Sequence, residues 1–259
     1  MLSRSTAPRF DWTDPSTLPI ALDGADAAYL AYHPDVSFPG AAAAVRRVAE
    51  TAADRGVERL VLLSGRGEPD AEPAERALRT VATEAGPSWT VVRCAWFMQN
   101  FSEHFLLDGV MAGTIALPAG AVREPFVDLE DVADVVVRAL TEPGHGGLTY
   151  DLTGPELLDF SEAARCLEDA VGRPVHYVDV APEAYAESAR AAGVPEEEVG
   201  PLTDLFSRVL DGHNAVLTPD LSAVLRRPGG TFADFARRTA ASGVWGPSPR
   251  EPRAMAAVG

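Results

Sequence analysis

Arg59-Leu60-Val61-Leu62-Leu63-Ser64-Gly65 and Trp89-Thr90-Val91-Val92-Arg93-Cys94 are the two stretches whose reading decides the fold. Neither alternates apolar with polar residues, as a strand with one wet face would. Continuous Val and Leu mark strands covered on both faces of a parallel sheet. Between them, residues 72–85 carry a helical pattern that Gly86-Pro87 stops. Upstream, residues 26–32 read as another buried strand ending at His33-Pro34, and residues 41–55 as a helix stopped by Gly56. Residues 15–22 read as a short helix, with Asp14 as N-cap and Pro15 at its first position. Strand, helix, strand, helix, strand at this spacing predicts an α/β fold.

Beyond Ala95 the pattern changes. Residues 97–109 are aromatic and irregular, and residues 113–120 are punctuated by Gly and Pro. A helix is expected over 127–140 with Asp128 as N-cap, a strand over 148–152, and a helix over 161–171 ended by Gly172. A strand at 175–180, helical residues over 181–212 with a break at Val194-Pro195, and an amphipathic helix over 231–241 follow. The domain reading is a Rossmann-like, doubly wound parallel sheet over 1–155, with 175–180 added to it. A smaller, mostly helical substrate lobe spans 156–242, and a disordered tail spans 243–259.

Composition excludes several functions. The formal net charge is −16, the wrong sign for a nucleic-acid surface. No apolar run reaches the ~18 residues of a membrane span. The two cysteines, Cys94 and Cys166, lack metal or disulfide spacing and suit free thiols in a cytoplasmic protein. No His/Asp cluster has metal-ligand spacing. All 22 Lys+Arg residues are arginine. Schiff-base, P-loop-lysine and Tyr-x-x-x-Lys chemistry are therefore out of reach.

In an open α/β sheet, ligands bind at the carboxyl ends of the strands. That places Ala31, Tyr32 and His33 at one candidate edge position, and Ser64 and Gly65 at the next, as candidate cofactor contacts. His33 is either a proton donor or an ordinary loop residue. Arg93, at its strand end, is a third cofactor candidate. Trp96, Phe97, Met98 and Asn100 follow it, and either wall a pocket for a flat substrate or join the core. His104 is a further candidate for that pocket. No G-x-G-x-x-G or G-x-x-G-x-x-G spacing occurs in the chain.

Taken in order, several stretches carry a resemblance. They are Ser3-Arg4-Ser5, Arg9-Phe10-Asp11-Trp12-Thr13-Asp14-Pro15, Gly24-Ala25-Asp26-Ala27-Ala28-Tyr29-Leu30 and Gly56-Val57-Glu58-Arg59. Thr90-Val91-Val92-Arg93, Trp96-Phe97-Met98-Gln99-Asn100-Phe101, Pro125-Phe126-Val127-Asp128, Asp131-Val132-Ala133 and Leu152-Thr153-Gly154-Pro155 complete it. Together they resemble the NmrA-like branch of the atypical short-chain dehydrogenase/reductases, near bacterial relatives of the ergot-alkaloid (agroclavine/festuclavine) dehydrogenases. The resemblance implies that Ser3-Arg4-Ser5 ends a second strand, so that a first strand, Gly-rich turn and helix are missing ahead of it. Residues 1–14 are then expected to pack loosely or to pair abnormally with the strand at 26–32. It also implies an NADP(H) site in which Arg4 and Ser5 meet the adenosine ribose, and Phe126 closing the substrate pocket. The expected function is NAD(P)H-dependent reduction of a small flat imine, quinone or activated alkene. The alternatives are a non-catalytic NADP-sensing regulator and a form that has lost cofactor binding. The partner is a small molecule, with neither nucleic acid nor membrane, and the chain is a monomer or homodimer.

Overall fold

The computed structural model describes residues 9–246, except 34, 104, 192, 195, 197–198, 201–202, 204–205 and 207–208. Arg4, Ser5, Pro34, His104, Pro195, Glu197, Glu198 and residues 247–259 therefore lie outside the described residues. The chain divides into two compact units. The first holds Met1–Ala95, Glu130–Thr153 and Thr218–Pro228, and the second holds Trp96–Leu129, Gly154–Leu217 and Gly229–Gly259.

The first unit is built on a four-stranded sheet. Its strands are β1 (Ala27–Leu30), β2 (Arg59–Gly65), β3 (Ser88–Cys94) and β5 (Leu148–Leu152), in the order β1-β2-β3-β5. All pairings are parallel, with Leu30 beside Leu62, Ser64 beside Arg93, and Arg93 beside Asp151. Ahead of β1, a 3-10 turn over Pro15–Thr17 leads into α1 (Leu18–Ala21), and the Asp14 side chain caps the turn by accepting from the Ser16 N–H. Helices α2 (Ala41–Asp54) and α3 (Glu72–Ala85) supply the crossovers. Their small residues Ala49, Ala52 and Ala74 let the backbones approach, and Val45, Val48, Leu78 and Val81 close on Leu30, Leu60, Leu62 and Val91. Gly86 ends α3 in the left-handed conformation, its N–H returning to Ala82. Helix α6 (Leu129–Thr141) presents Val132, Val135, Val136 and Ala139 inward. The unit is a Rossmann-like α/β fold, as the apolar runs imply.

Among the described residues β1 pairs with β2 alone, so it is the terminal strand, and Tyr29 on it is 41% exposed. Residues 9–14 neither join it nor pack loosely, which corrects that expectation. The Asp11 carboxylate accepts from the Thr13 N–H (3.0 Å), the Thr13 hydroxyl (2.7 Å) and Arg9 (3.0 Å). These bonds, led by the Thr13 N–H and hydroxyl, hold its pKa at about 2. Phe10 and Trp12 pack onto the unit's core, and the Trp12 ring meets Tyr32 at 5.1 Å.

The second unit is organised around aromatic rings. Helices α4 (Asn100–Glu103) and α5 (Leu107–Ala112), strand β4 (Thr114–Leu117), α7 (Phe160–Val171), β6 (His176–Asp179), α8 (Pro182–Ala191) and the closing helix Phe232–Ser242 belong to it. The strand expected at 175–180 forms as β6, but it pairs with β4 in a separate two-stranded parallel sheet. It is not part of the Rossmann-like sheet with which it was grouped. Gly113 permits this pairing, because a Cβ there would lie 2.9 Å from the Pro174 carbonyl. Ile115 and Leu117 turn inward beneath the two strands. Trp245, inside the stretch expected to be a loose tail, is buried and donates from Nε1 to the Phe101 carbonyl at 2.9 Å.

Candidate active site

At the carboxyl edge of the first unit, Ala31, Tyr32 and His33 follow β1. Ala31 and His33 are exposed and Tyr32 is partly buried against Trp12. Gly65 ends β2, and the Glu68 carboxyl group folds over it: a Cβ on Gly65 would lie 2.3 Å from Glu68 Cδ.

Beside this edge lies a charged cluster that the sequence reading missed. Glu75 on α3 is 1% exposed. Its Oε1 accepts from the Ser64 hydroxyl (2.7 Å) and Arg93 Nε (2.8 Å), and its Oε2 from Arg93 Nη2 (2.7 Å) and Arg79 Nη2 (2.7 Å). Burial pushes the carboxyl up. The hydrogen bonds from Arg93 and Ser64, with the charges of Arg93 and Arg79, outweigh that and hold it below the usual range. The same bond to Glu75 holds the Arg93 guanidinium protonated. Ser64 and Arg93, named from sequence as cofactor contacts, are thus brought together with their side chains turned to Glu75. The only sequence signal was a carboxylate at 75 on the helical stripe of Ala71, Ala74 and Leu78.

In the second unit, the loop after Ala95 is zipped to residue 127. Val127 N–H donates to the Trp96 carbonyl and Met98 N–H to the Val127 carbonyl, each at 2.9 Å. Gln99 Nε2 donates to Asp128 at 2.7 Å, and its Oε1 accepts from Leu129 N–H at 2.9 Å. Arg238 Nη2, from the closing helix, reaches the other Asp128 oxygen at 2.5 Å. Gly154 is obligatory beneath this loop, since a Cβ there would sit 1.9 Å from the Phe126 carbonyl oxygen. The named pocket residues divide. Met98 and Phe126 are fully buried, Phe126 against Phe101, Phe160 and Phe232. Trp96, Phe97 and Asn100 are partly exposed, and Trp96 packs with Phe105, Phe160 and Phe206. Arg4, Ser5 and His104 lie outside the described residues.

The cofactor fit is therefore divided as well. The described residues offer the exposed Ala31 and His33 after β1, and the partly buried Gly65 at the end of β2, at the edge a dinucleotide uses in such a sheet. The sequence offers no Gly-rich turn for the pyrophosphate.

Known proteins bear on this arrangement. The chain is 33% identical to the NAD(P)H azoreductase of Xenophilus azovorans over 241 residues, covering 90% of this chain and 82% of that protein. It is 32% identical to the agroclavine dehydrogenase of Claviceps fusiformis, covering 87% and 81%. Among solved structures, the Citrobacter triphenylmethane reductase complexed with NADP(H) superposes with a TM-score of 0.75 at 22% identity, over 89% of this chain and 82% of that one. No established family profile matches the sequence. Among the described residues no helix is long and apolar enough to cross a membrane. With a Rossmann-like parallel sheet, an aromatic second unit and relatives of this similarity over most of its length, the chain belongs to the NmrA-like atypical short-chain dehydrogenase/reductases, a family of NAD(P)H-dependent reductases.

Proposed function

We propose that this protein reduces a flat, conjugated organic molecule (an imine, a quinone or an activated alkene) by direct hydride transfer. The observation that carries the reading is the carboxyl edge of the parallel sheet, where Ala31, Tyr32 and His33 follow β1 and Gly65 ends β2, the edge at which such sheets bind ligands. NADP(H), when bound, supplies the hydride. Ala31, Tyr32, His33 and the backbone at Ser64 and Gly65 would hold it. Glu75 would set the edge indirectly, by fixing Ser64 and Arg93. Trp96, Phe97 and Asn100 would receive the substrate, with Met98 and Phe126 backing them from the core. The relatives' azo and alkaloid substrates support this size and shape class.

The proton follows from what the chain lacks. With no lysine, and no Tyr-x-x-x-Lys pair, protonation falls to water, to the substrate or to the exposed His33. An iminium acceptor needs no proton when hydride arrives, which suits these residues. Oxidation of NADPH followed against a panel of imines and quinones tests the proposal. Turnover of a planar acceptor is expected. Binding of NADPH with no turnover of any member would replace the reductase by a cofactor-sensing regulator.

A further inference from the structure

The two tyrosines of the second unit that pack on its core differ at their hydroxyls. Tyr177 donates to the Leu117 carbonyl at 3.2 Å and reaches Asp179 at 3.3 Å. The Tyr185 hydroxyl has no hydrogen-bond partner among the described residues, and burial alone raises its pKa, to about 12. It therefore stays protonated at neutral pH, and because it is not a buried atom it reaches solvent and can donate to a molecule bound beside it.

Its surroundings define what it could serve. Tyr185 and Ala189, one turn apart, form the inward stripe of α8. The Tyr185 ring meets Phe206 edge-on, 5.1 Å between centroids at 87°. Phe206 is fully buried and also carries Trp96 at 5.6 Å, tilted by 34°, and Phe105 at 5.5 Å. Three partly exposed rings thus surround one buried ring. Such an assembly keeps flat apolar surface available and prefers another π-system against it.

We propose that Tyr185 is a specificity-determining residue. Its ring, with Trp96 and Phe105, forms a wall for a planar aromatic substrate, and its hydroxyl donates to an acceptor atom, a carbonyl oxygen or imine nitrogen, on that substrate. The proposal rests on the reading above that the Trp96 segment faces the substrate.

The test compares two planar acceptors of similar size, a quinone with carbonyl oxygens and an N-alkylated aromatic iminium with no hydrogen-bond acceptor. Both are measured by kcat/KM and by calorimetric binding with wild type, Tyr185→Phe and Tyr185→Leu. The first variant keeps the ring and loses the donor, so Y185F should weaken the quinone about 3- to 10-fold, mostly in KM, and leave the iminium unchanged. Y185L should weaken both. NADPH affinity should not move in either variant. An unchanged quinone in Y185F, an equal loss for both acceptors, or no binding of either acceptor overturns the proposal. Binding that shows the expected discrimination without turnover would instead overturn the reductase reading and leave Tyr185 in place.

Discussion

The two units solve the problem of burying polar groups in different ways. In the first, a carboxylate is carried into the interior and surrounded: Glu75 accepts four hydrogen bonds from Ser64, Arg79 and Arg93. In the second, Asp128 is held by Gln99 and Arg238 beside a core of rings, with Phe101, Phe126, Phe160 and Phe232 meeting one another at 5.1 to 6.1 Å, mostly edge to face. The first core centres on a buried charge, and the second on the fit of its rings. The comparison teaches where each is vulnerable: the first to loss of a partner, the second to an added atom.

The largest expected effect breaks the charged core. Glu75→Gln keeps the shape but removes the carboxylate that both Arg79 and Arg93 bond, and should cost about 3 kcal/mol of stability. That is the lower end for a broken buried pair, because Arg79 and Arg93 are each about a third exposed. Urea titration measures it. The acid dependence sharpens the point. The folded pKa of Glu75 lies below its ordinary 4.5, so its contribution is complete above pH 4.5 and is lost as pH falls through the folded value. E75Q should flatten that slope; an unchanged slope would mean the cluster carries little of the stability.

The shape-fixed core is probed by a single methyl group. Gly154→Ala places a Cβ 1.9 Å from the Phe126 carbonyl oxygen, which belongs to backbone and cannot swing away. A loss of about 3 kcal/mol is expected. Gly65→Ala in the first unit meets only the far end of the Glu68 side chain and should stay within about 0.5 kcal/mol. Equal effects at the two glycines would erase the distinction drawn between the cores.

The smallest effect lies at a helix end. Asp159 and Glu162 form a capping box on α7, Asp159 accepting from the Glu162 N–H at 2.8 Å and Glu162 from the Asp159 N–H at 3.0 Å. Asp159→Ala should cost about 1 kcal/mol. Thermal melting with the sites elsewhere intact decides it.

The same contrast governs what could be read from sequence. The first unit's elements announce themselves locally: the apolar run at β2, the Gly86 stop of α3, and the short strand β5 need no distant partner to be recognised. Strand β4 was missed because four residues between Gly113 and Pro118 give only Ile115 and Leu117 as inward positions, too few for a period. The Asp220–Leu225 helix is short, and its αL end falls on Arg226 rather than on glycine, so no stop signal marks it. Site residues were legible as types and not as partners. Arg93 and Ser64 were correctly placed at strand ends, but their link to Glu75 depends on a crossover helix folding back. Trp96 was recognisable as a large ring in a loop. Its company, Phe105, Phe160 and Phe206, comes from segments separated by up to 110 positions, and no local pattern announces such a meeting.

The division of the chain has a consequence for how it is made. Each unit is assembled from three segments, with the backbone passing between units after residues 95, 129, 153, 217 and 228. Strand β5 and the Asp220–Leu225 helix, which complete the first unit, leave the ribosome long after β1 to β3. The sheet must therefore wait, with the flank of β3 uncovered, while the first segment of the second unit, Trp96–Leu129, and then α6 are synthesised. Such non-local closure slows folding and lengthens the time that apolar strand edges are exposed. The nascent chain, more than the finished protein, is where this fold meets its risk of aggregation.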